Sequence, residues 1–93
     1  MPSISIVMPV YNEVQAPGDD FLLMRIQALI QLLRQEDELL LVDGGSTDLS
    51  WTVLKTLAKH PQVTAIQSGK GRAQQMNAGA EAAQWVRFYE WGH

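Results

Sequence analysis

Three features of the sequence predict an α/β fold built on a doubly wound parallel sheet of about four strands. Short apolar runs alternate with helix-length amphipathic segments along the chain, the pattern of parallel strands joined by right-handed crossovers. The run Leu39-Leu40-Leu41-Val42 is continuously apolar, as a buried parallel strand tends to be. The polar segments Tyr11-Asn12-Glu13, Asp43-Gly44-Gly45-Ser46 and Ser68-Gly69-Lys70-Gly71-Arg72 each follow an apolar run. They therefore gather at the carboxyl edge, where such sheets bind ligands. The simplest strand order is 3-2-1-4, with the first two helices on one face and the third on the other.

Each element has its own justification. Residues 3–8 begin with polar–apolar alternation and become continuously apolar, a first strand that Pro9, lacking an N–H, is expected to limit. A loop bearing Pro17 and Gly18 follows, and Asp19 or Asp20 can cap a helix. Over residues 21–33, Leu22, Ile26, Leu29 and Leu33 form one stripe, with Arg25, Gln27, Gln31 and Arg34 on the wet side. Residues 38–42 are strand two. Asp43 closes it, the glycine pair turns the backbone, and Ser46, Thr47 or Asp48 can start a helix, Asp48 being best placed. That helix runs to about Lys59 with Trp51, Leu54, Leu57 and Ala58 toward the sheet, and His60-Pro61 ends it. Residues 63–66 form a short third strand. Gly69 and Gly71 break the chain, residues 72–84 form an alanine-rich helix, and residues 85–89 read as strand four, interrupted by Arg87. Trp51 and Trp85 are expected in the core.

Composition narrows the function classes. The chain has 93 residues, one small domain or a piece of a larger one, and 46% of them are hydrophobic, which excludes disorder. A net charge of −3 with seven Lys plus Arg argues against a nucleic-acid binder, which needs a basic face. The absence of cysteine removes disulfides, thiolate catalysis and cysteine metal sites, and suits a cytoplasmic location. No apolar run approaches the roughly 18 residues that span a bilayer, and no signal peptide is read at the N-terminus. No second histidine is spaced to share a metal with His60.

The stretch 39–48, strand, acid, glycine pair and helix start, suits a nucleotide site at a sheet edge; an ordinary βα turn with a capping aspartate has the same layout. Two familiar phosphate motifs fail. Gly69-Lys70-Gly71 opens like G-x-G-x-x-G, but Gln74 stands where the third glycine belongs. A P-loop would need glycine at Thr64 and a hydroxyl residue at Gly71.

The ordered blocks Ile4-Ser5-Ile6-Val7-Met8-Pro9-Val10-Tyr11-Asn12-Glu13, Leu41-Val42-Asp43-Gly44-Gly45-Ser46-Thr47-Asp48 and Gly71-Arg72-Ala73-Gln74-Gln75-Met76-Asn77-Ala78-Gly79-Ala80 resemble the N-terminal half of a family 2 glycosyltransferase. The last block is similar to a bacterial subgroup, and the likeness covers about residues 3–85. It implies the Rossmann-like, nucleotide-sugar-binding half of a GT-A fold and transfer of a sugar from a nucleoside diphosphate donor, usually with inversion. Carried onto this chain, it places Pro9, Tyr11 and Glu13 in the nucleoside pocket. It makes Asp43 the acceptor for the imide N–H of a uracil-like base, a task suited to an acceptor-only carboxylate. Gly44 and Gly45 would keep side chains away from the ligand. Arg72, helped by the start of its helix and by Lys70, would face the diphosphate of a UDP- or GDP-linked sugar. Duller roles stand beside these: Glu13 as a solvated carboxylate, Arg72 as a surface residue, Tyr11 as packing under its loop.

Family members leave strand four with an Asp-x-Asp motif that holds Mg²⁺ or Mn²⁺ against the diphosphate. Here the equivalent stretch reads Phe88-Tyr89-Glu90-Trp91-Gly92-His93, leaving Glu90 as a weak candidate ligand and His93 as a weaker one. The general base and the acceptor-binding half are expected outside these 93 residues, so the chain reads as a truncated donor-binding portion. The alternative is a non-catalytic nucleotide-binding or assembly module derived from such an enzyme; a nucleotidyltransferase-like enzyme would need a metal motif. An exposed edge at strand four, with Trp85, Phe88 and Trp91 nearby, predicts a homo-oligomer.

Overall fold

The computed structural model describes residues 3–85 and 88–90, with side chains over residues 3–85. In chain order the elements are β1 (Ser5–Val10), α1 (Phe21–Gln31), β2 (Glu38–Asp43), α2 (Ser50–Leu57), β3 (Val63–Gln67), α3 (Arg72–Ala82) and β4 (Phe88–Glu90). All pairings are parallel and the sheet order is β3-β2-β1-β4, as predicted. In the β1–β2 register Ser5 lies opposite Glu38 and Val10 opposite Asp43.

The two-residue period of a strand divides the apolar side chains between two faces. Ile6, Met8 and Val10 join Leu39 and Leu41 against Leu22, Ile26 and Leu29 of α1 and Leu54 and Leu57 of α2. Val7, Leu40 and Val42 pack on the other face with Met76 and Ala78 of α3. The α3 layer lies very close: a Cβ on Gly79 would come within 2.4 Å of Val7 Cγ1. No helix among the described residues is long and apolar enough to cross a membrane.

Several boundaries differ from expectation for physical reasons. Pro9 lies inside β1 rather than ending it, in register with Val42. Among the described residues the β4 pairing runs from Ser5 to Val7, so no described ladder bond to β4 is asked of the proline nitrogen. The second helix starts at Ser50 rather than Asp48, because Asp48 Oδ1 accepts the Ser50 N–H at 2.8 Å from outside the first turn. Trp51 and Trp85 are half-buried, and Trp85 is tied by polar bonds: its indole N–H donates to the Glu36 carbonyl at 2.8 Å. The predicted strand residues Val86 and Arg87 lie outside the described residues, as do Trp91 and His93.

The amino edge of the sheet is closed by carboxylates. Asp37 accepts the Ile4 N–H at 3.0 Å and the Arg34 N–H at 2.9 Å, and is ion-paired with Arg34 Nε at 3.0 Å. The hydrogen bonds from the Arg34 side chain, aided by those two backbone N–H groups, hold its carboxyl below the usual range despite burial. Glu38 accepts from Ser5 Oγ at 2.6 Å and from the Gln84 N–H.

Candidate functional site

The three predicted loops meet at the carboxyl edge and are bonded to one another. Asn12 donates its N–H to Ser46 Oγ at 2.9 Å, and its side-chain oxygen accepts the Thr47 N–H at 2.8 Å. Holding both bonds places Asn12 at φ +49°, a left-handed conformation that asparagine tolerates better than most residues. The Glu13 N–H donates to Ser50 Oγ at 2.8 Å, and the Val14 N–H to Asp48 Oδ2 at 3.0 Å. Burial pushes the Asp48 carboxyl up, but the bonds from Ser50 and Val14 outweigh it, leaving its pKa below the usual value. The third loop joins through the Ser68 N–H, which donates to the Asp43 carbonyl at 2.8 Å.

Asp43 ends β2 with its side chain wholly buried. Oδ2 accepts the Gly45 N–H at 3.2 Å and the Ser46 N–H at 3.0 Å, so the capping-turn reading of this residue is realised. Gly45 makes the turn possible at φ +91°. Oδ1 is also buried, and has no hydrogen-bond partner among the described residues. A bare buried carboxylate oxygen is costly; it is an acceptor left for something else to satisfy.

Beside the strand tips a cleft of about 250 Å³ is lined by Pro9, Tyr11, Arg72 and Gln75. Tyr11 is 39% exposed, and Lys70 Nζ stands 5.4 Å from its ring centroid, bringing a second cation to the rim beside Arg72. Gly71, at φ +108°, turns the chain into α3, whose first turn closes through the Gln75 N–H to the Gly71 carbonyl at 3.0 Å. Asp43 is not among the residues lining this cleft. It shares strand parity with Leu39 and Leu41, so its carboxylate leaves the sheet on the α1–α2 face, while Gln75 and Arg72 belong to α3 on the other. The cleft thus carries positive charge, from Arg72 in its lining and Lys70 over Tyr11, while the Asp43 acceptor is buried at the neighbouring tip of β2, outside that lining.

Gln75 was not singled out by sequence reasoning. It is only 6% exposed, and its Nε2 donates to the Val10 carbonyl at 3.0 Å and the Val42 carbonyl at 3.0 Å. Its amide also occupies the space that Gly44 leaves open: a Cβ there would meet Gln75 Cδ at 2.8 Å. Gly44 therefore makes room for a protein side chain. The available signal was an amide one helical turn after Arg72, hence on the same face of α3.

Glu13 does not line the cleft; its Oε1 is ion-paired with Arg25 Nη1 at 3.2 Å, tying the first loop to α1. Backbone pairing sets Glu90 opposite Val7, and its side chain lies outside the described residues. No group of three His, Asp or Glu side chains able to hold a metal occurs among the described residues. A larger cavity of about 690 Å³ between α1 and α2, lined by Ile30, Thr56 and His60 among others, contains none of the predicted site residues.

A parallel sheet with helices on both faces and its polar loops gathered at the carboxyl edge defines the Rossmann-like class of α/β domain. The family model for glycosyl transferase family 2 matches residues 5–85, and the chain belongs to that family. It is 41% identical over 58 residues to the undecaprenyl-phosphate 4-deoxy-4-formamido-L-arabinose transferase of Enterobacter sp. (strain 638), covering 62% of this chain and 17% of that protein. The Pseudomonas fluorescens protein of the same name is 45% identical over 56 residues, covering 60% of this chain and 16% of that protein. An uncharacterized glycosyltransferase of Haemophilus influenzae is 34% identical over 87 residues, covering 90% of this chain and 33% of that protein. The chain thus spans between about a sixth and a third of the length of these relatives.

Proposed function

We propose that this chain holds the nucleoside diphosphate end of a sugar donor, UDP-linked, for glycosyl transfer. The observation that carries the reading is the buried Oδ1 of Asp43 at the tip of β2, without a hydrogen-bond partner among the described residues, with Lys70 and Arg72 by the cleft at the neighbouring tip of β1. A nucleoside diphosphate has the same polarity, a base with an N–H at one end and negative charge at the other. An ionised carboxylate only accepts, so it suits the imide N–H of uracil or the ring N–H of guanine and rejects cytosine, whose corresponding nitrogen is itself an acceptor. Tyr11 offers an exposed ring for the base or ribose. Arg72, Lys70 and the N–H groups at the start of α3 would meet the diphosphate. Because Oδ1 is closed to solvent, the rim loops must give way before a ligand donor reaches it.

The family's divalent cation neutralises diphosphate charge when bound. The described side chains do not assemble a group of three metal-ligating residues for it. The general base for an acceptor is not assigned to any described residue. The test is thermal melting with UDP, GDP and CDP at about millimolar concentration, where ligands that bind the native state raise the midpoint. UDP is expected to raise it and CDP to have little effect; indifference to both UDP and GDP would refute the reading. Added UDP-sugar with Mn²⁺ then separates a transferase portion, which gives transfer or donor hydrolysis, from a binding module, which gives neither.

A further inference from the structure

We propose that Gln75 is a positioning residue that fixes the spacing of the two strand tips from which the nucleotide contacts leave; its bearing on ligand rests on the reading above. The Gln75 amide donates to the carbonyls of Val10 and Val42. Those residues immediately precede Tyr11 and Asp43, the two positions assigned to the nucleoside. The same Val10 carbonyl also accepts the Gly44 N–H at 3.0 Å, so the Gln75 bond closes a ring across the β1–β2 tips. Because α3 carries both Gln75 and Arg72, the bond also sets the height of the cationic end relative to the base-reading end.

The chemistry selects glutamine. Two carbonyl acceptors demand two N–H donors on one small group, which a primary amide supplies. Glutamate would bring acceptors against acceptors, and lysine or arginine would bury a charge. Asparagine is one methylene too short to reach from the same helix position. Methionine matches the length and volume but donates nothing. Gly44 is the reciprocal half of the device, since any side chain there collides with the Gln75 amide.

The experiment compares the wild-type chain with Gln75→Met by residue-resolved amide hydrogen exchange and by UDP titration, both well below the melting temperature. Exchange at the Gly44 and Asn12 amides should rise about tenfold or more, as expected for a lost buried donor pair, with amides at the centre of α1 unchanged. UDP affinity should fall by a similar factor. Gly44→Ala, which displaces the amide from the opposite side, should reproduce both effects and serves where Gln75→Met folds poorly. Unchanged exchange at Gly44 and Asn12, or a rise shared equally by α1, would overturn the proposal by reducing Gln75 to general packing. UDP affinity unchanged while those amides open would overturn it too. If neither protein binds UDP but the amides open at the tips, the spacing role is supported and the nucleotide reading fails.

Discussion

Asp43 is a fully buried carboxylate with one oxygen held by Gly45 and Ser46 and the other unbonded among the described residues. Such a group is tolerated at functional sites at the expense of stability. Asp43→Asn should therefore weaken UDP binding by about 10- to 100-fold, the range for losing a charge-assisted bond in a buried site, while the melting temperature stays the same or rises. Calorimetry and thermal melts on one sample check both; a large melting loss with unchanged affinity would make Asp43 purely structural. Arg72→Ala should weaken UDP by about tenfold and leave uridine nearly unaffected, because the proposed pose puts only the diphosphate beside it. Equal losses for both ligands would contradict that polarity. At this scale Asp43, Tyr11 and Arg72 were legible because strand–loop order alone sends them to one edge. Glu13 was legible as a charge but not as a partner, since Arg25 lies on a helix whose rotation the pattern specifies only coarsely. Gln75 was hidden because a glutamine on a helix reads as solvated until its depth is known.

Among the elements, α3 is the one whose seat is most tightly specified. Gly79→Ala would drive a methyl into Val7 and should cost about 1–3 kcal/mol, the usual penalty for overpacking. Val7→Ala in the same chain should recover part of it, measured by urea denaturation; a neutral Gly79→Ala would mean that α3 is loosely held. The β1–β2 unit is held at its amino end by Asp37, whose pKa is depressed chiefly by Arg34, and the β1 loop is held to the start of α2 by Asp48, depressed by Ser50 and Val14. A depressed carboxyl contributes fully above its unfolded value and loses that contribution as pH falls through the lower folded value. Stability should therefore hold down to about pH 4 and fall below it. Asp37→Asn should flatten that fall in denaturation curves taken across the acid range, and an unaltered acid slope would remove Asp37 from the account. Strand and helix existence were readable from periodicity, whereas the ends were not: Asp48 accepts the local Ser50 N–H outside the helix, and Asp48 and Trp85 are further held by tertiary bonds from the Val14 N–H and to Ser5 Oγ.

For the whole molecule, the alternation of elements and the three polar segments were enough to read the sheet order and the division of helices between faces. Legibility stopped at the site's interior, where the acceptor and the cations occupy opposite faces joined through Gln75. Among the described residues the sheet is bounded by β3 and β4, and a strand edge left open favours pairing with another copy. Sedimentation should accordingly show association that grows with concentration; a monomer at all concentrations would count against an edge-paired dimer. The most direct test of the central claim is residue-resolved NMR shift mapping during a UDP titration. The predicted outcome is saturable perturbation at Tyr11, Gly44, Gly45, Ser46, Arg72 and Gln75, with the α1–α2 cavity around Ile30 and His60 silent. Saturable shifts centred on that cavity, or none at the strand tips, would contradict it.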